Sequence, residues 1–225
     1  AIATMLSQTQ PVSVSEKADV KAAVGRVLAT QVIASLNVPP SNNSAMDGYA
    51  LKSSDGQAGN TLEVVGAVFA GDSHSPTVLP GQCVRIMTGA SIPADCDAVI
   101  IQENVTRADD MVTLQTDTSP LANIRETGSD IARGDQLFAT GHRLTATDTM
   151  LLSSLGLAAV DVYRKLTIGL LATGDELVEA GKPLAAGQIY ESNRTGAAAF
   201  FQNWQVQINH LGIVADEPET LKLRF

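Results

Sequence analysis

The sequence predicts a multidomain α+β chain: a helical domain split by an inserted all-β domain, followed by an incomplete α/β domain on a parallel sheet. Three observations predict it. Apolar residues at helical spacing mark both residues 1–36 and residues 131–164. Between them, over residues 37–130, short Val/Ile/Leu runs alternate with Gly, Pro and Asp. From residue 165 a continuous apolar run is followed by a helical pattern and a second apolar run.

In the first segment, "DVKAAVGRVLAT" places Val20, Ala23, Val24, Val27 and Leu28 on one helical face. Ser13 and Glu16 have the spacing of a capping box, and Gly25 weakens the pattern. The middle segment reads as strands in "TLEVVGAVFAGD", "PGQCVRIMTGA", "PADCDAVIIQENV" and "ADDMVTLQT", each ended by turn residues. That texture predicts a small barrel or sandwich. "TATDTMLLSSLG" then predicts a helix opened by Thr145 and Asp148 and stopped by Gly156.

"LTIGLLAT" is apolar throughout, as expected of a strand buried on both faces of a parallel sheet. Ser192 is expected to cap a helix over "NRTGAAAFFQNW". "QVQINHLGIV" predicts the next strand, and Asp216 with Glu219 the start of a last helix. This β-α-β-α order is half of a doubly wound unit. Two parallel strands leave edges and faces uncovered, so further strands are expected to follow in the natural protein.

Composition narrows the function. The net charge is −9 and charged residues are 17% of the chain. With no basic stripe, nucleic acid and anionic membrane surfaces are poor partners, because both need clustered Lys and Arg. Cys83 and Cys96 have neither C-x-x-C nor metal-ligand spacing and are expected to be reduced. No apolar run reaches membrane-spanning length, and "AIATMLSQTQ" lacks the basic and apolar regions of a signal peptide. The expected location is the cytoplasm.

The candidate chemistry is acidic. "PPSNNSAMDGYAL" sets Asp47 between Met46 and Gly48, which reads either as a hairpin turn or as a loop fixing a carboxylate. At the carboxyl ends of parallel strands, where functional groups gather, Asp175 or Glu176 and Asp216 would share one edge. Paired carboxylates there suit a divalent metal bridging phosphates; the plainer reading is a turn Asp, an exposed Glu and an N-cap. Thr88-Gly89-Ala90 could offer a hydroxyl and backbone N–H groups to an anion, or simply turn the chain. Asp130 in "RETGSDIARGD" has the same two readings. His74, His142 and His210 are isolated, and no P-loop, dinucleotide fingerprint or Ser/His/Asp pattern is present.

Together, "NNSAMDGYAL", "RIMTGASIPADCDAVIIQE", "RETGSDIARGD" and "LLATGDELVEAGKPLAAGQIYESNRTG" resemble the molybdopterin molybdenumtransferases of the MoeA type, also represented by the E domain of gephyrin. The resemblance spans the chain in the family's order. It implies insertion of molybdate into adenylylated molybdopterin, release of AMP, and help from Mg2+. It implies Asp47, Glu176 and Asp216 as catalytic, with Glu176 and Asp216 also holding metal. It implies Thr88, Asp130, Ser192 and Asn193 as cofactor-binding. It further implies a homodimer in which Asp47 of one subunit faces Glu176 of the other, and molybdopterin adenylyltransferase as a partner. The family usually carries Asp at or beside Asn42. Its T-S-G-G-V-S-type segment, downstream lysines and C-terminal β domain are not in this sequence, so these 225 residues alone are expected to be inactive. The other functional class compatible with the resemblance is a gephyrin-like scaffold or self-association module without transferase activity.

Overall fold

The computed structural model describes residues 2–202 and 204–223. The chain is mixed α and β, mostly strand. In chain order, the elements that matter here are helix α1 (Ile2–Gln8), β1 (Ser15–Asp19), β2 (Gly48–Leu51), β3 (Thr61–Val68), β4 (Gln82–Ile86), β5 (Ala98–Ile101), β6 (Val105–Ala108) and β7 (Met111–Leu114). Helix α2 (Ala146–Ser154), β8 (Ala159–Tyr163), β9 (Thr167–Thr173), α3 (Asn193–Gln202), β10 (Gln207–Val214) and α4 (Pro218–Lys222) follow. Two compact units result: residues 33–137, and residues 1–32 with 138–225.

The unit of residues 33–137 is built on one curled sheet in the order β5-β2-β4-β3-β7-β6. β3 and β4 run parallel, and the other neighbours are antiparallel. Period-two alternation buries both faces. Tyr49, Leu51, Leu62, Cys83 and Ile100 pack in one apolar cluster, and Ala50, Val68, Val84, Ile86 and Val99 in another. The central strand β2 is buried at every residue.

Both thiols lie in these clusters and are free. Burial pushes Cys83 and Cys96 up to about 12; the nearby Cys96 adds to the effect at Cys83, and Asp95 and Asp97 add to it at Cys96. The thiolate is the reactive form. We expect iodoacetamide at pH 8 to leave both cysteines unmodified in the native protein and to modify both in denaturant, as read by mass spectrometry. Rapid native-state labelling would contradict the burial described here.

In the other unit, β1 and β8 pair antiparallel from Ser15↔Tyr163 to Asp19↔Ala159. Arg26, only 8% exposed, ties the same region together: its Nη2 donates to Glu16 Oε1 at 2.5 Å and to Tyr163 O at 2.8 Å. The helix expected over residues 20–28 is not formed. Val20–Ala22 is a single 3-10 turn, Gly25 has φ +81°, and Val27 and Leu28 make bridges to Arg143 and Val162. Val20, Ala23 and Leu28 are buried all the same. Pairing with a distant strand has overridden a weak local preference in a segment of β-branched residues and a left-handed glycine. Ser13 and Glu16 form no capping box, since Glu16 lies within β1.

Helix α2 has the expected start. Thr145 Oγ1 accepts from the Asp148 N–H, and the Asp148 carboxylate accepts from the Thr145 N–H, a reciprocal box. Gly156, at φ +76°, follows its end. β9 and β10 are parallel, from Thr167↔Gln207 to Thr173↔Val214. The burial expected on both faces of β9 is not reached; its residues are either exposed or half-buried. Among the described residues its only strand neighbour is β10. At α4 the N-cap is Glu217, not Asp216, and it makes no side-chain capping bond.

Candidate functional site

In the unit of residues 33–137, a series of local bonds fixes the loop that carries Asp47. Asn42 Oδ1 accepts from the Thr127 N–H at 2.8 Å and from its hydroxyl at 3.0 Å. Asn43–Ser44 pair antiparallel with Ile124–Arg125. Ser44, buried, donates its hydroxyl to Met46 O at 2.6 Å and bends the chain. Asp47 follows, with its carbonyl accepting from the Gln102 N–H at 3.1 Å.

The residue after the acid has to be glycine. A Cβ on Gly48 would lie 2.0 Å from Ile100 O, inside the sheet. The Asp-Gly pair therefore marks the point where the loop enters β2, with the backbone of β5 packed against it.

Asp47 is clamped through one oxygen. Thr88 donates both its N–H, at 2.8 Å, and its hydroxyl, at 2.7 Å, to Oδ1. No hydrogen bond to Oδ2 occurs among the described residues. The Thr88 N–H, then its hydroxyl, and last the charge of Arg85 hold the Asp47 carboxyl below the usual carboxylate range. Gly89 N–H goes to Ser44 O and Ala90 N–H to Met87 O. The donors that the Thr88 turn could have offered an anion are thus engaged within the protein. The turn acts as a clamp on a carboxylate.

The sign of the linkage follows from a depressed acid. The Thr88 bonds stabilise the fold above the unfolded-state pKa of about 3.9, and that contribution is lost as pH falls through the lower folded value. Thr88→Val removes the hydroxyl and keeps the N–H. We expect an NMR titration to show the Asp47 pKa moving up in this variant. An unchanged pKa would mean that the hydroxyl bond does not hold the charge.

Arg85 opens the stretch "RIMTGASIPADCDAVIIQE", but nothing in that stretch singles it out as a site residue. It lies two residues along β4 from Cys83 and three before Thr88. Its guanidinium donates to Gly48 O at 3.3 Å and to Gln102 Oε1 at 2.5 Å, and sits 5.1 Å from the Tyr49 ring centroid. Asp130 in the same unit is ion-paired to Arg125 at 2.5 Å, with both side chains about half exposed.

In the other unit, the parallel pairing Thr173↔Val214 sets residues 174–176 and Asp216 beyond the same carboxyl end of β9 and β10. Glu176 and Asp216 are both exposed. Gly174 has φ +149°, and a Cβ there would lie 2.7 Å from Glu176 Oε2 and 3.0 Å from Leu177 Cγ. The Glu176 carboxylate thus lies against the bare face of Gly174. Leu177–Val178 pair in parallel with Ile189–Tyr190, and Glu176 O accepts from the Ile189 N–H at 2.9 Å.

Ser192 and Asn193 stand exposed at the start of α3. The side chain that takes a first-turn N–H is not Ser192 but Glu191. Its Oε1 accepts from the Arg194 N–H at 2.7 Å and its Oε2 from Arg194 Nε at 3.1 Å. These bonds and the Arg194 charge hold the Glu191 carboxyl below its usual range, against the opposing effect of burial. Beside them is a cavity of about 320 Å³ lined by Thr173, Asn193, Arg194 and the apolar end of β9.

For metal, no three His, Cys, Asp or Glu side chains converge among the described residues. The donors at the β9–β10 end, Glu176 and Asp216 among them, are exposed carboxylates. That set fits Mg2+, which takes one or two carboxylates together with water and phosphate oxygens. It does not suit a metal held by protein ligands alone.

Comparison with known proteins supplies the family. The family model for the MoeA N-terminal region (domain I and II) matches residues 1–156. The chain is 41% identical over 222 residues to the molybdopterin molybdenumtransferase of Haemophilus influenzae, covering 98% of this chain and 55% of that one. It is 36% identical over 212 residues to that of a Nostoc species, covering 92% and 49%. The crystal structure of the molybdopterin biosynthesis moeA protein from Pyrococcus horikoshii OT3 superposes with a TM-score of 0.89 at 30% identity, covering 100% of this chain and 61% of that one. The chain spans about half the length of the curated relatives it matches. The match over residues 1–156 and the 41% identity along nearly the whole chain place this protein in the MoeA family.

Proposed function

We propose that the chain takes part in molybdenum cofactor biosynthesis as a portion of a molybdopterin molybdenumtransferase, in which molybdate enters the dithiolene of adenylylated molybdopterin and AMP leaves. The observation that carries this reading is the presentation of the acids. Asp47 is held ionised with one oxygen uncommitted, and Glu176 and Asp216 stand exposed past one end of a parallel sheet. A fold that used Glu176 and Asp216 only as turns would bond their carboxylates internally, as it does that of Asp148.

Asp47, Glu176 and Asp216 are proposed as the catalytic acids. Thr88 serves by holding Asp47, and Asp130, Ser192 and Asn193 contribute to binding the pterin substrate. Glu176 and Asp216 would hold Mg2+, which would offset the charge of the substrate phosphates. An acidic chain needs such a device, because it has no bulk positive charge with which to hold an anion. A second copy of the chain and a molybdopterin adenylyltransferase are the proposed partners. The cytoplasm is the proposed location, and no helix among the described residues is long and apolar enough to cross a membrane.

The test is direct. The full-length protein, given adenylylated molybdopterin, Mg2+ and molybdate, should release AMP and form molybdenum cofactor. Binding of the pterin without AMP release would favour a scaffold and refute the transferase reading. Residues 1–225 assayed alone should form no cofactor at a useful rate.

A further inference from the structure

We infer that Arg194 is a positioning residue whose guanidinium locks the Glu176 loop onto the first turn of α3. The inference rests on the proposed transferase reading for its effect on turnover, but not for the lock itself.

The Arg194 side chain is 11% exposed and that of Glu191 3%. A charge so far from water has to be paired. Arg194 pairs in two directions. Nε reaches Glu191 Oε2 at 3.1 Å, and Nη2 reaches Glu179 Oε1 at 2.6 Å. The two acids come from different segments: Glu179 directly follows Leu177–Val178, and Glu191 lies just ahead of the start of α3. One planar fork therefore joins two pieces of chain.

Both pieces already share a short parallel ladder. Glu176 O accepts from the Ile189 N–H, and Val178 O accepts from the Glu191 N–H, each at 2.9 Å. The Glu176 backbone is a member of that ladder, and its carboxylate rests on Gly174 instead of on a bonding partner. Its position is thus set by the ladder, and Arg194 closes the ladder's far end. The same residue lines the cavity beside Thr173 and Asn193. Stability alone does not account for the arrangement. Buried ion pairs return little net free energy after desolvation, while their geometry is specific. A lysine cannot reproduce it, since one ammonium lacks a fork that meets two acids in fixed directions.

The test uses Arg194→Lys, Arg194→Gln and Glu179→Gln in the full-length chain. Glu179 is half exposed, so the last variant cuts one arm from the surface and guards against a fold lost at Arg194. Amide exchange at Ile189 and Glu191 should quicken at least tenfold in Arg194→Gln and Glu179→Gln, with the β9–β10 ladder unchanged. Molybdenum insertion should lose about tenfold or more in kcat, with KM for molybdate within about twofold. Arg194→Lys should recover most of the melting temperature but not kcat. Wild-type exchange in both Gln variants, or recovery of kcat together with melting temperature in the Lys variant, would overturn the inference. If the wild-type chain inserts no molybdenum, the transferase reading fails, and the exchange rates alone uphold or refute the lock.

Discussion

Replacing Gly48 by alanine is expected to collapse the unit of residues 33–137. The new Cβ would meet Ile100 O at 2.0 Å, and the obstacle is backbone, not the end of a flexible side chain. β2 cannot move aside, because β4 and β5 pair with it on both edges and apolar clusters press on both faces. Overpacking of a core costs up to about 3 kcal/mol, and a clash with fixed backbone belongs at or beyond that limit. For a unit of this size the melting temperature should fall by on the order of 10 °C or more. Calorimetry of Gly48→Ala decides it, and a shift of only one or two degrees would show that the sheet can open at this point.

The second large effect concerns activity. On the proposed transferase reading, Asp47→Asn and Glu176→Gln in the full-length protein should each lower molybdenum insertion by roughly a hundredfold or more, the scale seen when one preorganised group is lost from an active site. Both changes are near-isosteric. The amide introduced by Asp47→Asn would keep an oxygen for the Thr88 N–H and hydroxyl, so the loop should hold its shape at neutral pH. Glu176 is exposed and makes no side-chain bond among the described residues. Melting temperature should therefore stay close to wild type in Glu176→Gln and fall only slightly in Asp47→Asn, which keeps both Thr88 bonds but loses the charge that strengthens them. If insertion persists while melting temperature drops, Asp47 and Glu176 are turn residues and the acids of the reaction lie elsewhere.

What the sequence made legible was local or periodic. The helix start at Thr145 and Asp148 spans four residues and needs nothing from elsewhere in the fold, so it could be read from sequence. β9 and β10 declared themselves by apolar runs, and their shared end followed from the parallel rule. Residues 20–28 misled because their partners, Arg143 and Val162, are more than a hundred positions away. Of the expected face Val20, Ala23 and Leu28 are buried, but Val24 is 46% exposed and the backbone is not a helix.

The candidate site divides in the same way. The acids stand out as residue types in unusual turns. Their partners do not. Asp47 and Thr88 are 41 positions apart, and only the β4–β2 pairing brings them together. Ser192 reads as the cap in preference to Glu191, since serine is the commoner cap. A glutamate three positions before an arginine at a helix start was the available signal.

The pairing of β1 with β8 bears on synthesis at the ribosome. Ser15–Asp19 emerge early, yet the residues that complete their ladder, Ala159–Tyr163, emerge only after the whole of residues 33–137. The intervening stretch has its own sheet and its own apolar clusters, and its ends are joined by bonds between Ala34 and Asp135 and between Gly134 and Ala34. It can therefore finish folding while Ser15–Asp19 still have no mate. The usual vectorial order, in which earlier segments fold before later ones, is inverted here. The earlier segment waits, with Val20 and Leu28 in need of cover, until translation has passed Tyr163.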